Sequence, residues 1–319
     1  MTRANLFVTG GAGFIGSEFV RQEVMLGRYS RIFVLDALTY AGNLARIQDL
    51  IDNNSIEFIH ANLLHVETYE KAIQDSDHIM HFAAETHVDR SISSGAEFVH
   101  SNVVGTFNLI ESARSDLSKK IVLVSTDEVY GSTLNDSEFE EDSKLDPSSA
   151  YSASKAAADL LGIASFKTFN QRIMISRCTN NYGPFQDPEK LIPVVIKSIL
   201  QDDEIPVYGD GMNVREWIHI SDHCNALRRI LCDGNFGRVY NIGTGQRLTN
   251  LELIELIGRL LGVTPKIKFV EDRKGHDFRY ALDSSRISSE LEWKPEVPFE
   301  SGISSTVAWY AANRGALNL

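Results

Sequence analysis

The sequence predicts an α/β fold, a doubly wound parallel sheet joined to a smaller C-terminal α/β lobe. Three observations carry this expectation. Short apolar runs rich in Ile, Val and Phe alternate with longer segments of helical periodicity, a glycine-rich turn follows the first run, and an acidic residue ends the second. The chain's 319 residues are enough for two domains at about 150 residues each.

Taken in order, residues 6–9, 32–36, 56–60, 78–82 and 121–125 are strand candidates, and residues 14–26 and 97–114 are long enough for crossover helices. Nearly continuous apolar strands joined by helices imply a parallel sheet covered on both faces, because right-handed crossovers put helices there. A helix over 151–169 and a strand over 173–177 continue the sheet past the midpoint. After Asn181-Tyr182-Gly183-Pro184 the rhythm changes to helical segments at 193–200, 221–231, 250–261 and 304–312, separated by short β pieces such as 239–242. The expected organisation is a Rossmann domain over 1–180 and a lobe over 181–319, with some late segments returning to the sheet. The polar stretch 132–149 reads as a long loop, a kind of segment that is often functional.

Composition narrows the function. With 43% hydrophobic residues the chain can bury a substantial core, and no apolar run approaches the ~18 residues of a membrane span. The first five residues lead almost directly into Leu6-Phe7-Val8 without the pattern of a secretory signal, so a cytoplasmic location is expected. Cys178, Cys224 and Cys232 lack CxxC spacing, so neither a disulfide framework nor a metal site is expected. The 31 basic and 43 acidic residues leave a net charge of −12, whose field argues against a nonspecific nucleic-acid binder. A small anionic ligand remains compatible, given a local basic pocket and helix N-termini.

The motif TGGAGFIG, residues 9–16, follows the first strand and opens the first helix. Gly10 permits the tight turn, Gly13 lets backbone approach a pyrophosphate, and Gly16 allows close packing of helix on strand. Asp36, 20 residues beyond Gly16, ends the second strand, where a carboxylate accepts from both ribose hydroxyls and repels a 2′-phosphate. The cofactor expected is therefore NAD rather than NADP. A glycine-rich structural turn beside a capping Asp is the plain alternative.

Tyr151 and Lys155 lie four apart on one helical face, where an ammonium would favour phenolate and make the tyrosine a base. Such pairs are often only helix surface; here small neighbours and an upstream dinucleotide motif favour chemistry. Thr126-Asp127-Glu128 closes the fifth strand at the carboxyl edge of the sheet, where such folds bind ligands. Two like charges in a partly desolvated site push their pKa values apart, leaving one proton donor and one acceptor.

With these residues in view, the chain resembles the extended short-chain dehydrogenase/reductase family and, within it, the nucleotide-sugar 4,6-dehydratases. The glycine motif and the Tyr-Lys pair belong to the whole superfamily. More specific are AAETHVDRSI from Ala83, VSTDEVYG from Val124, RCTNNYGPFQDPEKLIP from Arg177, GDGMNVREWIH from Gly209 and DRKGHDFRYALD from Asp272. The resemblance implies an NAD site made by Gly10, Gly13, Phe14, Ile15, Gly16, Asp36, Leu38, Thr39, Asn62, Leu63, Phe82, Ala83, Ala84, Asn102, Ser125, Tyr151, Lys155 and Asn181. It implies a nucleotide-sugar site, with dTDP-glucose as the substrate, made by Thr86, Thr126, Asn180, Lys190, Leu191, Pro206, Tyr208, Arg215, Asn250, Arg273 and His276. Arg215 and Arg273 would supply the positive charge that a diphosphate needs in an acidic protein; His276 reads equally as a loop hydrogen-bonding residue. Two departures stand out, Asn62 where the family usually carries Asp and Asp187 where it carries a bulkier residue.

The reaction so implied oxidises the sugar at C4 with Tyr151 as base, supported by Lys155 and Thr126. It then eliminates water across C5 and C6 with Glu128 as base and Asp127 as acid, and reduces C6. A UDP-sugar 4-epimerase or UDP-glucuronate decarboxylase would also use Tyr and Lys but needs no acid and base at C5 and C6. A non-catalytic NAD-binding regulator need not retain all four groups. A homodimer through helices 97–114 and 151–169 is also expected.

Overall fold

The computed structural model describes residues 3–133 and 136–317. Its strands are β1 (Asn5–Thr9), β2 (Arg31–Asp36), β3 (Glu57–His60), β4 (His78–His81), β5 (Lys120–Thr126), β6 (Arg172–Cys178), β7 (Asn180–Tyr182), β8 (Ile205–Tyr208), β9 (Val214–His219), β10 (Val239–Ile242), β11 (Arg247–Thr249) and β12 (Ile267–Val270). Seven form one sheet in the order β10-β6-β5-β4-β1-β2-β3, parallel throughout. Alternation along each strand explains why both faces are covered. Leu6 and Val8 point into one core cluster and Phe7 into another; Val122 and Val124 join the first, Ile121 and Leu123 the second. The strand order reverses direction between β1 and β4, and the crevice at that switch point holds the site described below.

Helix boundaries follow local chemistry. The helix Phe14–Leu26 ends on Gly27, whose φ of 59° suits a left-handed cap. The helix Ala150–Phe169 starts from a capping box between Ser149 and Ser152 and ends at Asn170 with φ 56°.

The single helix expected over 97–114 is instead three pieces: Gly95–Phe98, a wide π-helical turn at Val99–Val104, and Gly105–Ala113. Helical periodicity does not register such a turn, in which Asn102 bonds to Glu85 and Ser154. The last helix begins at Phe299, five residues before the expected 304.

In the second half, β11, β9 and β7 form a three-stranded sheet and β12 pairs with β8. Of these β pieces only 239–242 was located from sequence, and it lies in the large sheet as β10, beside β6. The others run three to six residues, and β11 is only half-buried along its length, so they carry little alternation to detect. A separate core, with Ile192, Ile196, Trp217, Leu253, Ile257 and Val307, holds this lobe together. Of the expected loop 132–149, Leu134 and Asn135 lie outside the described residues; Phe139 bridges to Leu282. Among the described residues no helix is long and apolar enough to cross a membrane.

Candidate active site

A cleft of about 580 Å³ opens at the carboxyl ends of the large sheet, and residues 178–181, 186, 187 and 190 contribute to its lining. Gly10, with φ 70°, makes the turn after β1, and a Cβ there would fall 2.5 Å from the Ala83 nitrogen. Gly16 has no room for a Cβ because it lies against the Gly10 carbonyl, so the close packing is of helix on glycine turn rather than helix on strand. Gly13 caps the helix without a side-chain acceptor, which leaves the first-turn N–H groups free for an anion. Asp36 accepts from the N–H groups of Ala12 (2.9 Å) and Leu38 (2.8 Å), and burial holds its carboxyl above the usual carboxylate range.

Of the residues expected at the cofactor, Gly10, Gly13, Phe14, Ile15, Gly16, Asp36, Thr39, Asn62, Leu63, Phe82, Ala83, Ala84, Ser125, Tyr151, Lys155 and Asn181 line this cleft. Leu38 and Asn102 do not. Leu38 contributes its backbone N–H to Asp36 and packs its side chain on the core. The Asn102 amide is occupied by protein: it accepts from Glu85 N–H at 2.8 Å and donates to Glu85 O and Ser154 Oγ at 3.0 and 2.9 Å. Asn62 closes its own turn by accepting from Leu64 N–H. Sequence reading missed Arg46, which lines the cleft and donates to the carbonyls of Ala12 (3.1 Å) and Ala41 (2.7 Å). Nothing local marks it, since the glycine turn and Arg46 meet only in the fold. Burial lowers the Arg46 pKa, and the charge of Asp187 opposes that shift.

The reacting groups come from two elements. The end of β5 presents Thr126, Asp127 and Glu128, and the capped helix presents Tyr151 and Lys155; all five line the cleft. Thr126 Oγ1 donates to Asp127 Oδ1 at 3.1 Å, whereas Asp127 Oδ2 is buried without a partner. Burial, and then the charge of Glu128, push the Asp127 carboxyl well above the usual range. Glu128 is also raised by burial, but Lys190, Arg273 and Arg215 pull it back. Both carboxyls are thus raised by burial, and the cations oppose that rise more at Glu128, the direction that suits a proton donor at Asp127 and an acceptor at Glu128.

The Tyr-Lys pair departs from expectation. Lys155 Nζ donates to the Val124 carbonyl at 2.7 Å, and the Tyr151 phenol is pushed well above its ordinary value by burial and by Glu128, with a hydrogen bond to Thr126 opposing. Spacing alone foresaw a lowered phenol, whereas burial of the ring, which spacing cannot register, acts in the opposite direction. Lys155 is lowered by burial and supported by Asp159, one helical turn on.

On the substrate side, Thr86, Thr126, Asn180 and Lys190 line the cleft, and Lys190 Nζ donates to the Thr86 carbonyl at 3.3 Å. Tyr208, Arg215, Arg273 and His276 gather beside it on the lobe. The Arg273 guanidinium lies 5.9 Å from the Tyr208 ring centroid and 3.5 Å from Asp89, and the His276 ring meets Tyr208 edge-on at 6.3 Å. Arg215 is buried, with its guanidinium donating to the carbonyls of Val214, Asp277 and Phe278. Leu191, Pro206 and Asn250 stand outside the cleft lining: Leu191 packs on the lobe core, Pro206 lies in β8, and Asn250 donates its N–H to Asn213 O.

Comparison with known proteins agrees with this geometry. Residues 7–306 match the family model described as GDP-mannose 4,6 dehydratase. A dTDP-glucose 4,6-dehydratase of Streptomyces niveus is 45% identical over 314 residues, spanning 97% of this chain and 93% of the relative. The chain belongs to the dTDP-glucose 4,6-dehydratase family. Among solved members, DesIV of Streptomyces venezuelae, a dTDP-glucose 4,6-dehydratase crystallised with NAD and TYD, superimposes with a TM-score of 0.94 at 44% identity, covering 98% of both chains. A UDP-glucuronic acid 4-epimerase of Bacillus cereus, solved with UDP-glucuronic acid and NAD, shares the fold at TM-score 0.91 but only 26% identity, over 97% of this chain and 99% of that one. Epimerases and dehydratases therefore share this framework, and the family's reaction has to be read from the site.

Proposed function

We propose that the chain converts dTDP-glucose into dTDP-4-keto-6-deoxyglucose, with NAD held in the cleft and regenerated in each turnover. The observation that carries the reading is the adjacent Asp127 and Glu128 in one cleft with Tyr151 and Lys155. The cleft's residues fit the dinucleotide: uncapped first-turn N–H groups suit a pyrophosphate, Asp36 suits a ribose diol, and Ser125 Oγ is buried without a protein partner. When bound, NAD supplies a reversible hydride acceptor.

In this reading Tyr151 takes the proton of the sugar 4-hydroxyl, with Thr126 orienting that oxygen and Lys155 supporting the phenolate. The resulting ketone acidifies the C5 hydrogen, which Glu128 removes while the protonated Asp127 gives its proton to the departing 6-hydroxyl, so that water leaves across C5 and C6. Glu128 returns its proton to C5 as C6 is reduced. The electrostatics supports these roles: burial and the charge of Glu128 raise the Asp127 carboxyl well above the usual range, whereas Lys190, Arg273 and Arg215 oppose the rise that burial causes at Glu128. Arg273, Arg215 and Lys190 would offset the diphosphate and the sugar-side charge.

The experiment is incubation with dTDP-glucose, followed by alkali and the ultraviolet absorbance of a 4-keto product, run in parallel with UDP-, CDP- and GDP-glucose. Absence of that absorbance with dTDP-glucose overturns the assignment. An epimerised or decarboxylated UDP-sugar would install a rival.

We also propose a homodimer. Val99, Phe107 and Leu160 are about half exposed, and Ala153 and Ala164 extend the apolar stripe along the helix Ala150–Phe169. Packed against its counterpart, that face forms a four-helix interface behind Tyr151. Light scattering should return twice the chain mass for the wild type and the single mass for Leu160→Glu.

A further inference from the structure

Between the glycine turn and the catalytic helix lies a buried polar chain centred on His81, a residue with no part in the chemistry above. We infer that His81 is a positioning residue for the dinucleotide: a one-way chain of hydrogen bonds through its ring fixes the segment after β4 against the glycine turn. The inference rests on the NAD reading.

The direction of the chain follows from its fixed ends. Thr106 Oγ1 donates to the Asn102 carbonyl at 2.6 Å, and a carbonyl can only accept. The single hydroxyl proton of Thr106 is thereby used, so its contact with His81 Nε2 at 2.8 Å requires that nitrogen to carry the proton. In a neutral ring Nδ1 is then an acceptor, and Thr9 Oγ1, 2.7 Å away, must donate to it. Thr9 Oγ1 in turn accepts from the Ala83 N–H at 3.3 Å. The ring is neutral because it is fully buried, which, with Lys155 nearby, pushes its pKa down to about 3. His81 thus offers one donor and one acceptor on opposite sides, a polarity that a rigid five-membered ring can hold in one place.

Both ends of this chain reach the cofactor cleft. At the first, Thr9 precedes Gly10, and Ala83 lies so near Gly10 that a Cβ would meet its nitrogen at 2.5 Å. At the other, Asn102 sits in the π-helical turn Val99–Val104 and clamps the backbone of Glu85 through both its N–H and its carbonyl. Asn102 also donates to Ser154 Oγ, which donates to the Tyr151 carbonyl at 2.7 Å. Phe82, Ala83, Ala84 and Glu85, which line the cleft, are therefore pinned from both sides. Removing the Thr106 hydroxyl strands the buried His81 Nε2–H, and the segment must shift to recover a partner for it.

The test uses Thr106→Val, which keeps the shape and deletes the hydroxyl, beside Thr106→Ser, which keeps the hydroxyl. Each protein, stripped of NAD and shown folded by circular dichroism at low temperature, is titrated with NAD by calorimetry. Thr106→Ser should bind within about twofold of wild type and Thr106→Val about tenfold more weakly. In the wild type, imidazole 15N spectra at neutral pH should show His81 as the Nε2–H tautomer, a readout independent of the variants' stability. Equal NAD affinity of the Val and Ser variants, or an Nδ1–H or doubly protonated ring, overturns the inference while leaving the NAD reading intact. Failure of the wild type itself to bind NAD overturns that reading first.

Discussion

Around the glycine turn the polar groups are largely partnered, whereas at the adjacent carboxylates they are strained between burial and charge. Asp36 accepts two backbone N–H bonds and Asn102 clamps Glu85, while Asp127 Oδ2 is buried without a partner and Glu128 is poised between desolvation and three cations. The contrast reflects two tasks. Holding a cofactor through many turnovers calls for a rigid frame, because every group ordered in advance reduces the entropy lost on binding. Moving protons calls for groups held away from their ordinary pKa values, and that arrangement detracts from stability.

The largest effect should come from the strained end. Glu128→Gln removes the C5 base while leaving Tyr151 and Lys155, so turnover should fall by ~10²–10⁴-fold and C5 exchange with heavy water should slow equally. In a single turnover the near-ultraviolet absorbance of reduced nicotinamide should still appear. Wild-type turnover and exchange in this variant would remove Glu128 from the mechanism.

A smaller effect is expected at the ordered end. Asp36→Ala loses the ribose acceptor and the charge that opposes a 2′-phosphate, so NAD affinity should drop by roughly tenfold and NADP should gain on it. An unchanged NAD to NADP preference in a titration at moderate salt would break the comparison there.

The pH profile sharpens it further. Activity needs Glu128 ionised and Asp127 protonated, so kcat/KM should fall on the acid side as Glu128 gains its proton and on the alkaline side as Asp127 loses its own. Lys190 is the largest influence lowering the Glu128 pKa. Lys190→Met should therefore move the acid limb to higher pH, and a limb that stays in place or moves down would contradict the assignment.

The smallest effect is on stability. Because the Asp127 pKa is raised in the folded protein, its contribution opposes folding as pH rises past the ordinary carboxylate value. Asp127→Asn should accordingly raise Tm at neutral pH by about 1–2 °C, equivalent to roughly 1 kcal/mol, while impairing turnover. The gain should vanish below about pH 4, where an aspartate is protonated in both states.

What the sequence determined by itself is what neighbours in the chain decide. Alternating apolar strands, the turn at Gly10, the acid at Asp36 and the helical pairing of Tyr151 with Lys155 are encoded within one element or one connection, so periodicity and spacing reveal them. Tertiary structure decided the rest. The π-helical turn carries Asn102, which meets Glu85, 17 residues away, and Arg46 reaches the Ala12 carbonyl, 34 residues away. The short strands of the lobe pair with distant partners, and three to six residues are too few to carry a clear alternation. The surroundings of Tyr151 are the plainest case: four-residue spacing placed Lys155 on the same helical face, but only the fold set the burial that raises the phenol's pKa and gave the Lys155 ammonium to the Val124 carbonyl. Spacing along a helix is a local property, whereas desolvation is a sum over everything that packs around a group.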